Sequence, residues 1–186
     1  MWFKICQCTS FTSTPKAISS SSSSLKSRWL QKNIYIRWKY DVFLSFRGDD
    51  TRNNFTSHLY AALQRNGILT FKDEEKLKRG KLISSELLKA INESRFAIVI
   101  LSRNYASSTW CLDELVEIIQ CMKKNEMIVI PVFYDVDPSD VRKQTGAFAK
   151  AFVDPERLNK SLMKIEIWRD ALRELANIAG WHLHDR

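Results

Sequence analysis

Acidic side chains recur in one twelve-residue stretch of the sequence, STWCLDELVEII, which spans residues 108–119. It contains Asp113, Glu114 and Glu117, and Trp110 precedes Glu114 by four positions. Carboxylates in such settings act as general acids or bases, as nucleophiles, or as negative charges that stabilise a cationic transition state. Which of the three suits chemistry depends on the face of the helix that each occupies.

Helical angles separate the three acids. With Leu112 at zero and about 100° per residue, Asp113 and Glu117 fall at about 100° and 140°, and Glu114 falls at about 200°. The apolar arc, which predicts the face toward the core, contains Leu112, Leu115, Val116 and Ile119, flanked by Cys111 and Ile118. We therefore expect Asp113 and Glu117 to be solvated and Glu114 to be half-buried at the margin of the apolar arc.

Partial burial makes Glu114 the candidate for chemistry. A carboxylate with less water around it interacts more strongly with nearby charges and holds its proton more tightly. Beside the indole of Trp110, it suits a substrate that has a ring and a positive charge. Local capping or pairing of Glu114 is the alternative.

Arg47 is the second candidate, because a guanidinium at the end of a strand suits a pyrophosphate. It could equally pair with Asp49 or Asp50. The two aspartates are similar to the acid pair of a phosphate-accepting receiver domain, but such a domain also needs an aspartate where this chain has Ser102 and Arg103. The pair is predicted instead to favour the N-terminus of the next helix through its dipole.

The cysteines and histidines do not have the spacing of a metal site. We therefore predict no metal and reduced, intracellular thiols, with two of the cysteines packing as small hydrophobic residues in the core. The cysteines are Cys6, Cys8, Cys111 and Cys121, with the last two predicted in the core, and the histidines are His58, His182 and His184.

Short apolar runs alternate with amphipathic segments from residue 40 onward. Runs that are apolar throughout predict strands covered on both faces; they are YDVFLSF (40–46), ILTF (68–71), FAIVILS (96–102) and MIVIPVFY (127–134). Four helices are predicted. The first begins near Phe55 and ends at a left-handed Gly67, and the second covers Leu87 to Ile91. The third includes Leu112 to Ile119, and the fourth spans residues 161–179 and ends at a cap at Gly180. Trp181 to Leu183 is predicted as a short fifth strand.

Strands that alternate with helices predict an α/β fold with a parallel sheet, right-handed crossovers and helices on both faces. Ligands of such sheets bind at the carboxyl ends of the strands. The loops expected to form a site are RGDDTR, KDEEKLKRGKL and RNYASST, which follow the first three strands.

The net charge of +8 is concentrated at the start of the chain. Residues 1–39 contain seven basic residues and no acid, which leaves 22 of the 29 basic residues against all 21 acidic ones. The remainder is close to neutral, so nucleic-acid binding is not expected. No apolar run reaches the roughly 18 residues that a membrane-spanning helix requires, so the chain is expected to be soluble.

Residues 1–38 form a basic leader with six consecutive serines at 19–24. This low-complexity composition predicts disorder, and the ordered domain is expected to cover residues 39–186. Three interpretations of the leader stay open: a flexible segment without a targeting role, a plastid transit peptide, and lipidation at Cys6 and Cys8. The expected location is cytoplasmic, with the nucleus as an additional site.

Three long motifs carry a resemblance to a known family: YDVFLSFRGDDTRNNFTSHLYAAL, LKRGKLISSELLKAINESRFAIVILSRNYASSTWCLDEL and PVFYDVDPSDVRKQTGAFAKAF. They closely resemble the plant Toll/interleukin receptor (TIR) domains of nucleotide-binding, leucine-rich-repeat immune receptors and of TIR-only proteins, from about Lys39 to Leu183. The resemblance implies a flavodoxin-like fold and cleavage of NAD+, as a substrate and with no cofactor, in plant defence and cell death.

The resemblance also assigns roles by motif. It implies that Glu114 is catalytic, the same residue that the helical angles select. The remaining assignments are a nucleotide pocket at Arg47, Gly48 and Trp110, a closing loop from Lys72 to Ile83 that includes Arg79 and Gly80, and self-association through Ser57 and His58. Simple packing of His58 is the alternative.

One departure from the family pattern lies at the C-terminus. Members continue past a motif like ANIAGWHL into another amphipathic helix, whereas this sequence stops at Arg186, so the last helix is expected to be missing and the TIR domain to be short. Two functions remain open: an NAD+ glycohydrolase that works through self-association, and a non-catalytic adaptor or regulator that joins other TIR domains.

Overall fold

A computed structural model describes residues 38–72, 85–125, 127–153 and 162–184. Nearly all of the predicted leader lies outside these ranges, and so do Arg79 and Gly80. The predictions for these residues therefore stay predictions.

Five strands form one parallel sheet in the order β2-β1-β3-β4-β5. Four of them start and end within two residues of the apolar runs, since these are the segments with enough hydrophobic residues to be covered on both faces. The strands are β1 (Tyr40–Phe46), β2 (Thr70–Lys72), β3 (Ser94–Leu101), β4 (Ile128–Tyr134) and β5 (Trp181–Leu183). The predicted parallel sheet of four strands plus a short fifth is confirmed.

Helices connect these strands. They are α1 (Gly48–Thr51), α2 (Phe55–Arg65), α3 (Ser85–Asn92), α4 (Thr109–Asn125), α5 (Pro138–Lys143), α6 (Gly146–Ala151) and α7 (Leu162–Ala176), with a 3-10 turn at Tyr105–Ser107. Four of the helices confirm predicted ones. The short helices α1, α5 and α6 correspond to no predicted helix.

The two faces of the sheet bury two separate hydrophobic clusters. On the face that we call the deep face, α3 to α7 pack over Phe43, Val99 and Phe133. On the opposite face, which we call the α2 face, Leu59 of α2 packs over strand residues such as Ile100. Helices on both faces and the strand order make this a flavodoxin-like fold, as predicted.

Two glycines were expected to end helices, and only one does. Gly67 has a φ of 71° after α2, the left-handed conformation that favours glycine. Gly180 is wrong as a helix cap, because α7 ends at Ala176. A Cβ at Gly180 would lie 2.6 Å from the Pro131 carbonyl oxygen, so glycine is needed for close approach to β4.

The described helices include none with the length and hydrophobicity needed to cross a bilayer.

Candidate functional site

The carboxyl ends of β1 and β3 form the topological switch point of the sheet, where ligands bind in this fold. Asp50 joins the two loops that leave these strands. Its carboxylate accepts hydrogen bonds from Ser102 Oγ at 2.6 Å, from the Asn104 backbone N–H at 2.9 Å and from Asn104 Nδ2 at 3.1 Å. The loop that leads into α4 is thereby fixed to α1, the short helix after β1.

Glu114 lies in the second turn of α4 and is only 7% exposed. It is therefore more deeply buried than the half-buried position expected from the helical angles. One carboxylate oxygen, Oε2, accepts a 2.7 Å hydrogen bond from Oγ of Ser45, which is fully buried in β1. A buried carboxylate needs such a partner, because an unpaired one loses its hydration without compensation.

Tyr105 extends this contact. Its hydroxyl lies 2.8 Å from Ser45 Oγ and 3.0 Å from the backbone carbonyl oxygen of Cys111, and its one proton can point to either. Tyr105 is fully buried, and this burial raises the pKa of its phenol well above the ordinary value. The side chain is therefore a neutral donor at any physiological pH.

Cys111 does not supply a nucleophile to this site. Burial first, and the charge of Glu114 second, raise the pKa of its thiol from 9.0 to about 12, and the opposing effects of Ser108 and Arg47 do not offset them. Thiolates, not thiols, are the reactive form of cysteine. Cys111 and Cys121 are both buried, which confirms their prediction as small hydrophobic residues.

Arg47 follows β1 directly and is partly buried, with 23% of its side chain exposed. Its Nη2 donates to Asp49 at 2.9 Å, which confirms one of the two expected pairings. Within the described ranges, its buried Nε has no hydrogen-bond partner. A partly exposed guanidinium at the switch point is suited to binding an anionic ligand.

The structure thus gathers several predicted site residues at one edge. Cys111 Sγ lies 3.6 Å from the backbone carbonyl oxygen of Phe46, the residue before Arg47, which brings the start of α4 to the end of β1. Trp110, partly buried, lies in the first turn of that helix, and Gly48 begins α1 next to Arg47. The arrangement combines a cation, an aromatic ring and a dry carboxylate at the sheet edge.

Lys72 is directed elsewhere in this structure. Its Nζ lies 4.4 Å from the centre of the Tyr60 ring, which belongs to the α2 face, whereas Ser45 and Glu114 belong to the deep face. Strand residues alternate between faces, so Lys72 and its neighbour Phe71 point in opposite directions. The role of Lys72 in substrate binding stays a prediction.

Ser57 and His58 lie on α2, away from the carboxylate. The hydroxyl of Ser57 donates to the backbone carbonyl of Arg52. His58 is exposed, so its side chain is not part of the core, and an edge histidine that simply packs stays the alternative. The self-association role of both residues stays a prediction.

The solvated state predicted for Asp113 and Glu117 is wrong. Asp113 accepts 2.7 Å and 3.0 Å hydrogen bonds from Trp168 Nε1 and Lys164 Nζ, because α7 packs against that face of α4. Glu117 accepts a 2.8 Å hydrogen bond from Asn92 of α3. Both carboxylates therefore hold helices together.

In the part of the chain that the structure describes, no group of three or more His, Cys, Asp or Glu side chains could hold a metal ion.

The contacts of Ser45, Asp50 and Tyr105 at this edge were not predicted. The sequence carries a signal for one of them. Ser45 is the single serine or threonine in the apolar run of β1, and a polar group buried on both sides must find a hydrogen-bond partner. The identity of that partner depends on how α4 packs, which the run itself does not specify.

Comparisons with known proteins agree with this architecture. The family model described as TIR domain matches residues 39–186. The disease resistance protein RPV1 of Vitis rotundifolia is 55% identical over 173 residues, which cover 93% of this chain and 12% of that protein. The TMV resistance protein N of Nicotiana glutinosa is 57% identical over 145 residues, which cover 77% of this chain and 13% of that protein. This chain therefore spans about an eighth of the length of these relatives.

A solved structure gives the same result. The TIR domains of the activated Roq1 resistosome, which directly recognises the pathogen effector XopQ, are 60% identical to this chain. The match has a TM-score of 0.70 and covers 77% of this chain and 87% of that one. The strand order, the motifs and these matches all agree, and the chain belongs to the TIR domain family.

Proposed function

We propose that this chain is an NAD+ glycohydrolase that cleaves the bond between nicotinamide and ribose. The observation that carries the proposal is the buried, hydrogen-bonded carboxylate of Glu114 at the switch point of the sheet. A single negative charge kept away from water at the ligand-binding edge is suited to a reaction that develops positive charge.

The chemistry requires one carboxylate. Nicotinamide leaves as a neutral molecule from a cationic pyridinium, so no general acid has to protonate it. The ribose left behind has oxocarbenium character, which a negative Glu114 stabilises through its charge or through hydrogen bonds to the ribose hydroxyls. Attack by water gives ADP-ribose, and internal attack gives a cyclised product.

The other residues at the edge match the rest of the substrate. The partly exposed guanidinium of Arg47 suits an oxygen of the pyrophosphate, and the indole of Trp110 provides a flat surface for a ring. Gly48, Lys72, Arg79 and Gly80 stay proposed contacts, since the family resemblance alone assigns them.

Release of nicotinamide from NAD+ by the purified chain tests this proposal. We expect the variants Glu114→Ala and Glu114→Gln to lose about 100- to 1,000-fold in turnover, the magnitude typical of removing one preorganised electrostatic group. Glu117→Gln is the matched control, because it neutralises a carboxylate in the same helix that bonds to Asn92 instead. Equal turnover by wild type and Glu114→Gln would remove Glu114 from the mechanism.

A role in plant immune signalling is the wider proposal. The relatives are named as disease resistance proteins, and the similar Roq1 TIR domains belong to an activated resistosome. We infer that this chain also associates with TIR domains, either to activate its own catalysis or, as the second candidate function, as a non-catalytic adaptor. The exposed His58 on α2 favours a contact of this kind.

Association predicts that turnover per subunit rises with protein concentration. His58→Ala should lower this rise, because it removes an exposed side chain of α2 without disturbing the core. Gln64→Ala is the control, since Gln64 is exposed on a different side of the same helix. Its side chain donates a hydrogen bond to the hydroxyl of Tyr60, which lies on the same helix. A concentration dependence that His58→Ala leaves unchanged would contradict a contact at this position.

A further inference from the structure

We propose that Ser45 is a positioning residue for Glu114, and that Tyr105 orients the Ser45 hydroxyl for this purpose. The inference rests on the proposed NAD+ cleavage and extends it from the carboxylate to the strand and loop behind it.

The geometry forms a continuous chain of hydrogen bonds. Ser45 Oγ donates to Glu114 Oε2 at 2.7 Å and lies 2.8 Å from the Tyr105 hydroxyl, which is 3.0 Å from the carbonyl oxygen of Cys111. The two hydroxyl side chains are fully buried, so bulk water does not replace either of them. The chain links β1, the turn after β3 and the first turns of α4.

The number of hydroxyl protons determines which group donates in each of these hydrogen bonds when the Glu114 carboxylate is ionised. Ser45 and Tyr105 each have one hydroxyl proton. If Ser45 donates its proton to Glu114, the hydrogen bond between Ser45 and Tyr105 must use the Tyr105 proton, and the Ser45 oxygen is its acceptor. The carbonyl of Cys111 keeps a donor in either case, because it lies inside α4 and accepts from the helical ladder. Both hydroxyls can therefore point toward Glu114 at once.

This arrangement fixes the carboxylate in one orientation. A glutamate side chain has three rotatable bonds, and a helix position alone does not select one rotamer. The hydrogen bond from a strand that is buried in the sheet holds Oε2 against the core. Glu114 is then preorganised before substrate arrives, which is the condition under which electrostatic stabilisation of a transition state is strong.

Two matched variants in the full chain separate the hydroxyl from the volume at position 45. Ser45→Thr and Ser45→Val add nearly the same bulk to the buried strand, but only Thr keeps the hydroxyl. We expect Ser45→Thr to stay within about threefold of the wild-type kcat, and Ser45→Val to lose about 10- to 100-fold with KM changed less than about twofold. Tyr105→Phe, which removes one oxygen and keeps the ring, should lose about 3- to 10-fold in kcat.

A second measurement does not depend on turnover. In chains with 13C-labelled glutamate carboxyl groups, the Glu114 signal is the one missing from Glu114→Ala. It should move in Ser45→Val and in Tyr105→Phe, and stay near its wild-type position in Ser45→Thr, since the signal responds to hydrogen bonding of the carboxylate.

The kcat and the NMR signal together distinguish failure of the proposed function from failure of the positioning inference. Absence of nicotinamide release by the wild type overturns the proposed function, while a Glu114 signal that moves in the Val and Phe variants still supports the positioning contact. The inference is overturned if the wild type is active and the Thr and Val variants have equal kcat, or if the Glu114 signal is the same in wild type, Ser45→Val and Tyr105→Phe.

Discussion

The deep face and the α2 face of the sheet differ in how completely their residues are removed from water. On the deep face, the side chains of Trp168, Leu172 and Tyr105 are fully buried, and Ser45 and Glu114 are buried among them. On the α2 face, Phe55 and Leu63 are only partly buried over the strands. The described part of the chain thus places its candidate catalytic group in the drier of the two environments.

The difference in burial between the two faces explains where a single carboxylate can stabilise a charged ligand. Removing a charge from water is costly, but a charge in a dry site interacts more strongly with its ligand. The deep face offsets part of that cost with the hydroxyl of Ser45. The α2 face instead presents His58 to solvent, where it can contact another molecule.

The largest expected effect is a difference in stability between matched leucines on the two faces. Leu172 is 0% exposed in the deep cluster, and Leu59 is 6% exposed on the α2 face. We expect Leu172→Ala to lower the free energy of unfolding by about 4 to 5 kcal/mol and Leu59→Ala by about 2 to 3 kcal/mol, because partly exposed neighbours can relax into the space that is left. Urea unfolding of both variants measures the two losses.

The two leucines undergo the same chemical change, so the comparison isolates the environment. Equal losses at the two positions would show that the faces do not differ in packing. A larger loss for Leu59→Ala would reverse the comparison.

A smaller effect is expected at alkaline pH. The pKa of Cys111, raised by burial from 9.0 to about 12, means that the folded chain keeps the thiol proton between these values while the unfolded chain loses it. Stability therefore falls as pH rises above 9, by about 1 kcal/mol for this group at pH 10. Well below pH 9 the thiol is protonated in both the folded and the unfolded chain, so it contributes no slope.

Unfolding of wild type and Cys111→Ala from pH 8 to pH 11 measures this contribution. Other groups titrate in the same range in both proteins, so the difference between the two curves is the relevant quantity. The wild-type free energy of unfolding should decline more steeply than that of the variant. Parallel curves would mean that the deep face does not exclude water from Cys111.

The sequence predicted the sheet because its strands are apolar on both sides, and YDVFLSF and WHL match β1 and β5 in full. It did not predict α5 and α6, since helices of six residues are too short to show a 3.6-residue period. A local signal existed for α5. Asp137 caps Ser139 N–H, and Pro138 occupies the first position of the helix.

The candidate site was predictable in part for the same physical reasons. The period of its own helix predicted partial burial of Glu114, and the structure buries it further, to 7% exposed. The hydrogen bonds of Asp113 could not be deduced, because they depend on α7, more than fifty residues later in the chain. The direction of Lys72 depends on strand alternation, which the short run ILTF does not fix.

Time courses of NAD+ cleavage by the wild-type chain and by Glu114→Gln, at high protein concentration and followed by proton NMR, test the central claim most directly. The variant keeps the size of the side chain and an oxygen that can accept from Ser45, and it replaces the charge and the second acceptor oxygen with a neutral NH2 group. We predict that nicotinamide appears with the wild type and about 100- to 1,000-fold more slowly with the variant. Nicotinamide released at the same rate by both chains would contradict the claim that the buried charge of Glu114 drives the reaction.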